Sequence, residues 1–201
     1  VISIGNVAFE NCKNAQTLTL GNSLTELGAG AFSGCESLTR VVYPASLKAV
    51  GGMSDCKNLT EVVIPDTATE IMQAAFSGCT QLQELKLPSS VKTIGSYAFA
   101  SCGIQELTIP DGVTALPDGL FYRCKNLTSV TIPGTVKQIK SNDFFECTAL
   151  TSIVIPEGVE WISQDAFLNC TALETVWLPL SLKAIEGSAF SFCTNLKTVE
   201  Y

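Results

Sequence analysis

Histidine is absent from this chain of 201 residues. That removes Ser-His-Asp and Cys-His catalysis and any imidazole-based metal site. Charge is sparse at 15% of residues, and basic residues are outnumbered 12 to 19 by acidic ones. The net charge of −7 leaves no basic stripe for phosphate, which argues against nucleic acid as a partner. No apolar run approaches the ~20 residues of a membrane-spanning helix. There is no CxxC pair and no glycine-rich phosphate loop; Gly28-Ala29-Gly30 and Gly51-Gly52 read as turn glycines. Without a nucleophile–base pair, a metal set or a cofactor motif, the sequence points away from an enzyme and implies no cofactor.

Cysteine, by contrast, recurs with a fixed period. It stands at Cys12, Cys35, Cys56, Cys79, Cys102, Cys124, Cys147, Cys170 and Cys193, at intervals of 23, 21, 23, 23, 22, 23, 23 and 23. A period in the twenties marks a solenoid of stacked coils. The unit is clearest as Phe144-x-x-Cys147-x-x-Leu150-x-x-Ile153-x-Ile155-Pro156-x-x-Val159-x-x-Ile162. Phenylalanine precedes cysteine by three in eight coils, and Met53 takes its place in the third. Each coil is numbered by its cysteine.

The local readings follow from spacing. Leu127 to Ile132 alternates with β-branched residues, which predicts a strand with one buried face. Proline has no N–H and ends the ladder at a turn such as Pro110-Asp111-Gly112. Val136 to Ile139 reads as a second short strand. Ala98 to Cys102 reads as one helical turn, since residues three apart share a face. Stacking makes the strands a parallel sheet, and nine coils a rod roughly 40–45 Å long. The fold class expected is a β-rich leucine-rich-repeat solenoid of the α/β-repeat class.

The stretch from Leu82 to Cys102 resembles the repeat of the BspA-like (treponemal-type) leucine-rich-repeat family of bacterial surface proteins, and the resemblance extends over the whole chain. It implies surface display or secretion, and adhesion or protein binding, with no catalytic residue. A rigid spacer displaying another domain is the alternative. Residues 1–201 are read as one solenoid domain. Because the chain starts and stops within coils and neither end carries a polar cap, it is expected to belong to a longer one.

Some positions depart from the pattern. The third coil loses two residues at Gly51-Gly52 and the fifth loses one at Gly103. Pro117 lies outside the proline ladder, and Leu120 and Asp143 replace the small residue before phenylalanine. Each is expected to bend or twist the rod. All nine cysteines share an inward slot, which predicts buried free thiols packing as small hydrophobes. Stacked side chains run parallel, so their Cβ vectors do not converge as a disulfide requires. Three N-x-T sequons arise from the repeat itself and carry little weight.

Candidate binding residues lie on the outward strand rows. Glu61, Glu84 and Glu106 share one slot in consecutive coils. The three form either a like-charged column able to share a proton or hold a cation, or a solvated face offset by Arg40 and Lys86. The neighbouring row includes Lys86, Val154 and Trp177, and Trp177 is either a binding anchor or a cross-strand packing group over Val154 and Thr175. Arg40, Glu61, Glu84, Lys86 and Glu106 thus make a charged half, and Val154 and Trp177 an apolar half. A further row, Ala100, Tyr122, Phe145 and Leu168, is polar in earlier coils and reads as packing or as a patch.

Overall fold

The structure is a computed structural model that describes all residues from Val1 to Tyr201. It is a solenoid of about nine coils with parallel strands. The first strand of a coil is three residues long, as in Arg40–Val42, Ser152–Val154 and Thr175–Trp177. Its middle side chain points inward and its flanking ones outward, the period-two alternation that its β-branched composition favours. Register is in phase with the repeat: Val42 lies beside Val63, and Val154 beside Trp177 and then Glu200. A second row of two-residue strands follows the proline turn; there Gln138, Trp161 and Ala184 are neighbours.

The inward side chains form one continuous cluster of 53 buried residues from Leu24 to Cys193. The phenylalanines stack through it. Phe121, Phe144, Phe167 and Phe190 follow one another at 5.4, 4.8 and 4.9 Å. The stack skips at Met53, where Tyr43 stands edge-on to Phe76. The buried Tyr43 hydroxyl donates to the Gly51 carbonyl at 2.7 Å, inside the shortened third-coil junction.

The expected helical turn is absent, and the chain has no helix. The segment before each cysteine is instead a run of consecutive turns. In the fifth coil the amides of Ala98, Ala100 and Cys102 donate three residues back, to Gly95, Tyr97 and Phe99. The alternate amides, Tyr97, Phe99 and Ser101, donate forward to Asp118, Leu120 and Tyr122 of the next coil. Serving both sets needs a left-handed backbone two residues before and two after phenylalanine, as at Tyr97 (φ 58°) and Ser101 (φ 54°). Phenylalanine and cysteine still share a face, as the spacing required. This turn ladder crosses every boundary from the first coil to the ninth.

Each buried thiol has a partner. Cys56, Cys124, Cys147, Cys170 and Cys193 donate to the carbonyl of the phenylalanine one coil back, at 2.9–3.2 Å. Cysteine thus fills the slot as a small apolar group that also carries a weak donor. Burial lifts the Cys56 and Cys102 thiols to about 12. All nine cysteines are free, but Cys12 is exposed, which corrects the expectation of nine buried thiols. Cys12 and the 47%-exposed Phe9 lie in the first coil, outside the core cluster that begins at Leu24. Native protein is therefore expected to react with a thiol reagent quickly at Cys12 alone, and at all nine sites once denatured. Fast native labelling of a second cysteine would contradict this.

The departures in sequence interrupt the sheets. The second strand row stops between Glu26–Leu27 and Ala49–Val50, where the two residues are missing. Gly103 lies so close to the fourth coil that a Cβ there would meet the Thr80 carbonyl oxygen at 2.2 Å. No backbone hydrogen bond joins residues 60–64 to 83–87, and the first strand row of the fourth coil keeps only a bridge from Glu84 to Glu106. Pro117 cannot donate, and the fifth coil has no second strand. Asp143 patches that loss: its buried carboxylate accepts the Lys140 amide at 2.7 Å and the Leu120 amide at 3.2 Å.

Candidate binding face

The outward side chains of the first strand row make a regular surface, because the parallel register holds each at a fixed place relative to the next coil. Arg40 and Glu61 are paired in register and by a 2.8 Å ion pair. Both are more than half exposed, so the pair adds about 0–1 kcal/mol at most. Glu84 and Glu106 are neighbours across the single bridge, and neither is neutralised: Lys86 makes no ion pair. Of the two cations expected to offset the column, only Arg40 does so. The three glutamates do not converge into a group able to hold a metal ion.

Where the sheet is interrupted the face opens into a cleft of about 1060 Å³. Glu61, Glu84, Lys86 and Glu106 line it, together with Asp66 and Asp111 from the turns after Pro65 and Pro110. The charged half of the strand rows, Arg40 excepted, therefore lines one cleft. Asp66 and Asp111 were not anticipated, although both directly follow a ladder proline and so share a slot that faces the same way.

The apolar half lies farther along the rod. Val154 is 59% exposed and Trp177 37% exposed, side by side in register. The Trp177 indole N–H donates to Glu200 at 2.8 Å, which fixes the ring while leaving much of it open. On the turn ladder, Tyr122 and Phe145 are half-buried and stack on each other at 4.9 Å, so that edge packs along the rod.

The repeat can now be compared with known ones. The family model described as BspA type leucine rich repeat region (6 copies) matches residues 1–54, 51–137 and 114–201. The chain belongs to the BspA-type leucine-rich-repeat family. No curated protein matches it. Among solved structures, this BspA-type chain is similar to the T. pallidum leucine rich repeat protein, with 31% identity and a TM-score of 0.68, over 75% of this chain and 72% of that one. It is also similar to a leucine rich cell surface protein from Faecalibacterium prausnitzii, at 27% identity and a TM-score of 0.53, over 100% of this chain and 69% of that one. The pneumococcal vaccine antigen PcpA shares the fold alone, at 15% identity and a TM-score of 0.50, over 99% and 72% of the two chains. The BspA-type repeat accounts for the inward ladders.

Proposed function

We propose that the chain is a non-catalytic protein-binding or adhesion module displayed at a bacterial surface, and that it binds through the open face of its first strand row. The observation that carries this reading is that one row of outward side chains presents both a charged cleft in coils three to five and a fixed, exposed Val154–Trp177 pair in coils seven and eight. Both are pre-formed on a stacked scaffold, so little ordering entropy opposes binding. A relative described as a cell surface protein supports the location. The unbroken core supports reading residues 1–201 as one domain. A spacer with no ligand of its own would present a uniform Thr/Ser face, which this one does not.

The test is surface plasmon resonance of the immobilised protein against a panel of extracellular-matrix and bacterial surface proteins. For a panel member that binds, Trp177→Ala is expected to weaken affinity by about 2 kcal/mol, as for an aromatic anchor. Replacing Glu61, Glu84 and Glu106 together by Gln is expected mainly to slow association at low salt. Binding that is indifferent to both variants would place the contact elsewhere. Silence across the whole panel would favour the spacer.

A further inference from the structure

A second surface lies on the turn ladder, away from the strand rows. Gly119 occupies the slot that Tyr97 occupies one coil earlier. Its missing side chain leaves room for the Tyr97 ring. A Cβ built at Gly119 would lie 2.3 Å from Cε1 and 2.7 and 2.9 Å from the two ring atoms beside it. Those nearly equal distances place Gly119 over the face of the ring and not off its rim. Tyr97 therefore lies flat on the backbone of the next coil. It is 40% exposed, so the part of the ring not seated on Gly119 still reaches solvent. Tyr122 stands against it at 76°, with centroids 6.0 Å apart, and is backed by Phe145 at 4.9 Å. The result is an aromatic corner, with Tyr97 as floor and Tyr122 as wall.

The polar surroundings of this corner cancel in charge. Arg123 lies 5.1 Å from the Tyr122 ring centre and is paired with Glu146 at 3.2 Å. Beside Tyr97, whose amide donates to the Asp118 carbonyl, Asp118 is paired with Lys140 at 3.8 Å. Each pair is partly exposed and keeps donors and acceptors free for hydroxyl groups. Tyr97 is 40% exposed at this corner, so the corner is an open surface and not an enclosed pocket. It has no net charge with which to attract a polyanion or polycation. A ligand that fits is flat and apolar on one face, dense in hydroxyls at its edge, and uncharged.

We propose that the Tyr97–Tyr122 corner is a binding site for a neutral pyranose polymer. The sugar's C–H face rests on the exposed part of the Tyr97 ring against Tyr122, and its hydroxyls reach Arg123, Glu146, Asp118 and Lys140. The ring is already held flat, so binding does not have to order it. This surface shares no residue with the strand-row face, and either can fail alone.

Native affinity electrophoresis through gels containing soluble neutral glucans, mannans or galactans tests the site. Retardation by at least one of them is expected for the parent protein. Tyr97→Ala is expected to weaken it by roughly tenfold, the scale of one aromatic contact of about 1.4 kcal/mol, while Tyr97→Phe retains it. Gly119→Ala is expected to match Tyr97→Ala, because the new Cβ pushes the ring off its seat without removing it. An unchanged thermal transition in Tyr97→Ala shows that the loss is not unfolding. The proposal is overturned if no polysaccharide retards the parent, if Tyr97→Ala is retarded like the parent, or if Tyr97→Phe loses binding as fully as Tyr97→Ala. Binding of a panel protein that depends on Tyr97, with no retardation by any glycan, would make this a protein contact and overturn it as well.

Discussion

Phe144→Ala is expected to lower the stability of the fold by about 3–5 kcal/mol, the range for truncating a large core side chain. Phe144 is fully buried between Phe121 at 5.4 Å and Phe167 at 4.8 Å, the latter nearly parallel to it. Both neighbours are themselves fixed by the next rings, so the site has little freedom to collapse, and the cavity term stays large. The carbonyl of Phe144 would still accept from Cys170, which confines the loss to packing. Urea denaturation with Phe145→Ala as a half-exposed control measures it. Equal midpoint shifts for the two variants would show that the inner stack does not carry the core.

Asp143→Ala restores the small residue usual at that slot, yet it too is expected to destabilise. The Leu120 and Lys140 amides would lose their acceptor, at about 1–3 kcal/mol for each one left buried and unpaired. A pH dependence accompanies it. Desolvation raises the Asp143 carboxyl well above its ordinary 3.8, and the nearby Asp118 carboxylate adds to the rise. The two amides and the Lys140 ammonium oppose it without overcoming it, and the Cys147 thiol is also close by. The fold therefore favours the protonated acid. Its contribution is fully present below the unfolded pKa and is lost as pH rises through the folded one. Stability should fall as pH rises above the ordinary carboxylate range in the parent, and less in Asp143→Asn. A parent curve that rises with pH over this range, with Asp143→Asn running parallel to it, would refute the assignment.

The inward half of this fold is readable from the chain because it repeats. Phe144, Cys147, Leu150 and Ile153 each recur at their slots, and stacking admits one arrangement for a side chain that must face its own copy. The turn ladder was misread as helical because residues three apart meet in both structures. The distinguishing signal lay two positions to either side of phenylalanine, where Gly30, Gly34, Gly78, Gly119, Asn11, Asn142 and Asn169 favour a left-handed backbone. The candidate face was legible as rows but not as a cleft. Pro117 and the residue missing at Gly103 are visible in sequence, but their effect depends on which amides lose partners in the neighbouring coil. Asp143 stood out only as a departure, since its two amides come from different coils.

The unbroken turn ladder and the interrupted sheets together give the rod a mechanical character. Between the fourth and fifth coils the strand rows contribute one backbone bond, from Gln105 to Gln83, and the second row contributes none. The turn ladder continues across that boundary with the amides of Ala74, Phe76 and Gly78. A beam tied along one edge and loosened along the others bends about the tied edge. The boundary between the fourth and fifth coils, held by the core and the turn ladder and little else, lies within the acidic cleft. Tension along the rod would part Glu84 from Glu106 before it parted Val154 from Trp177, so the grip of a partner seated on the cleft would vary with load.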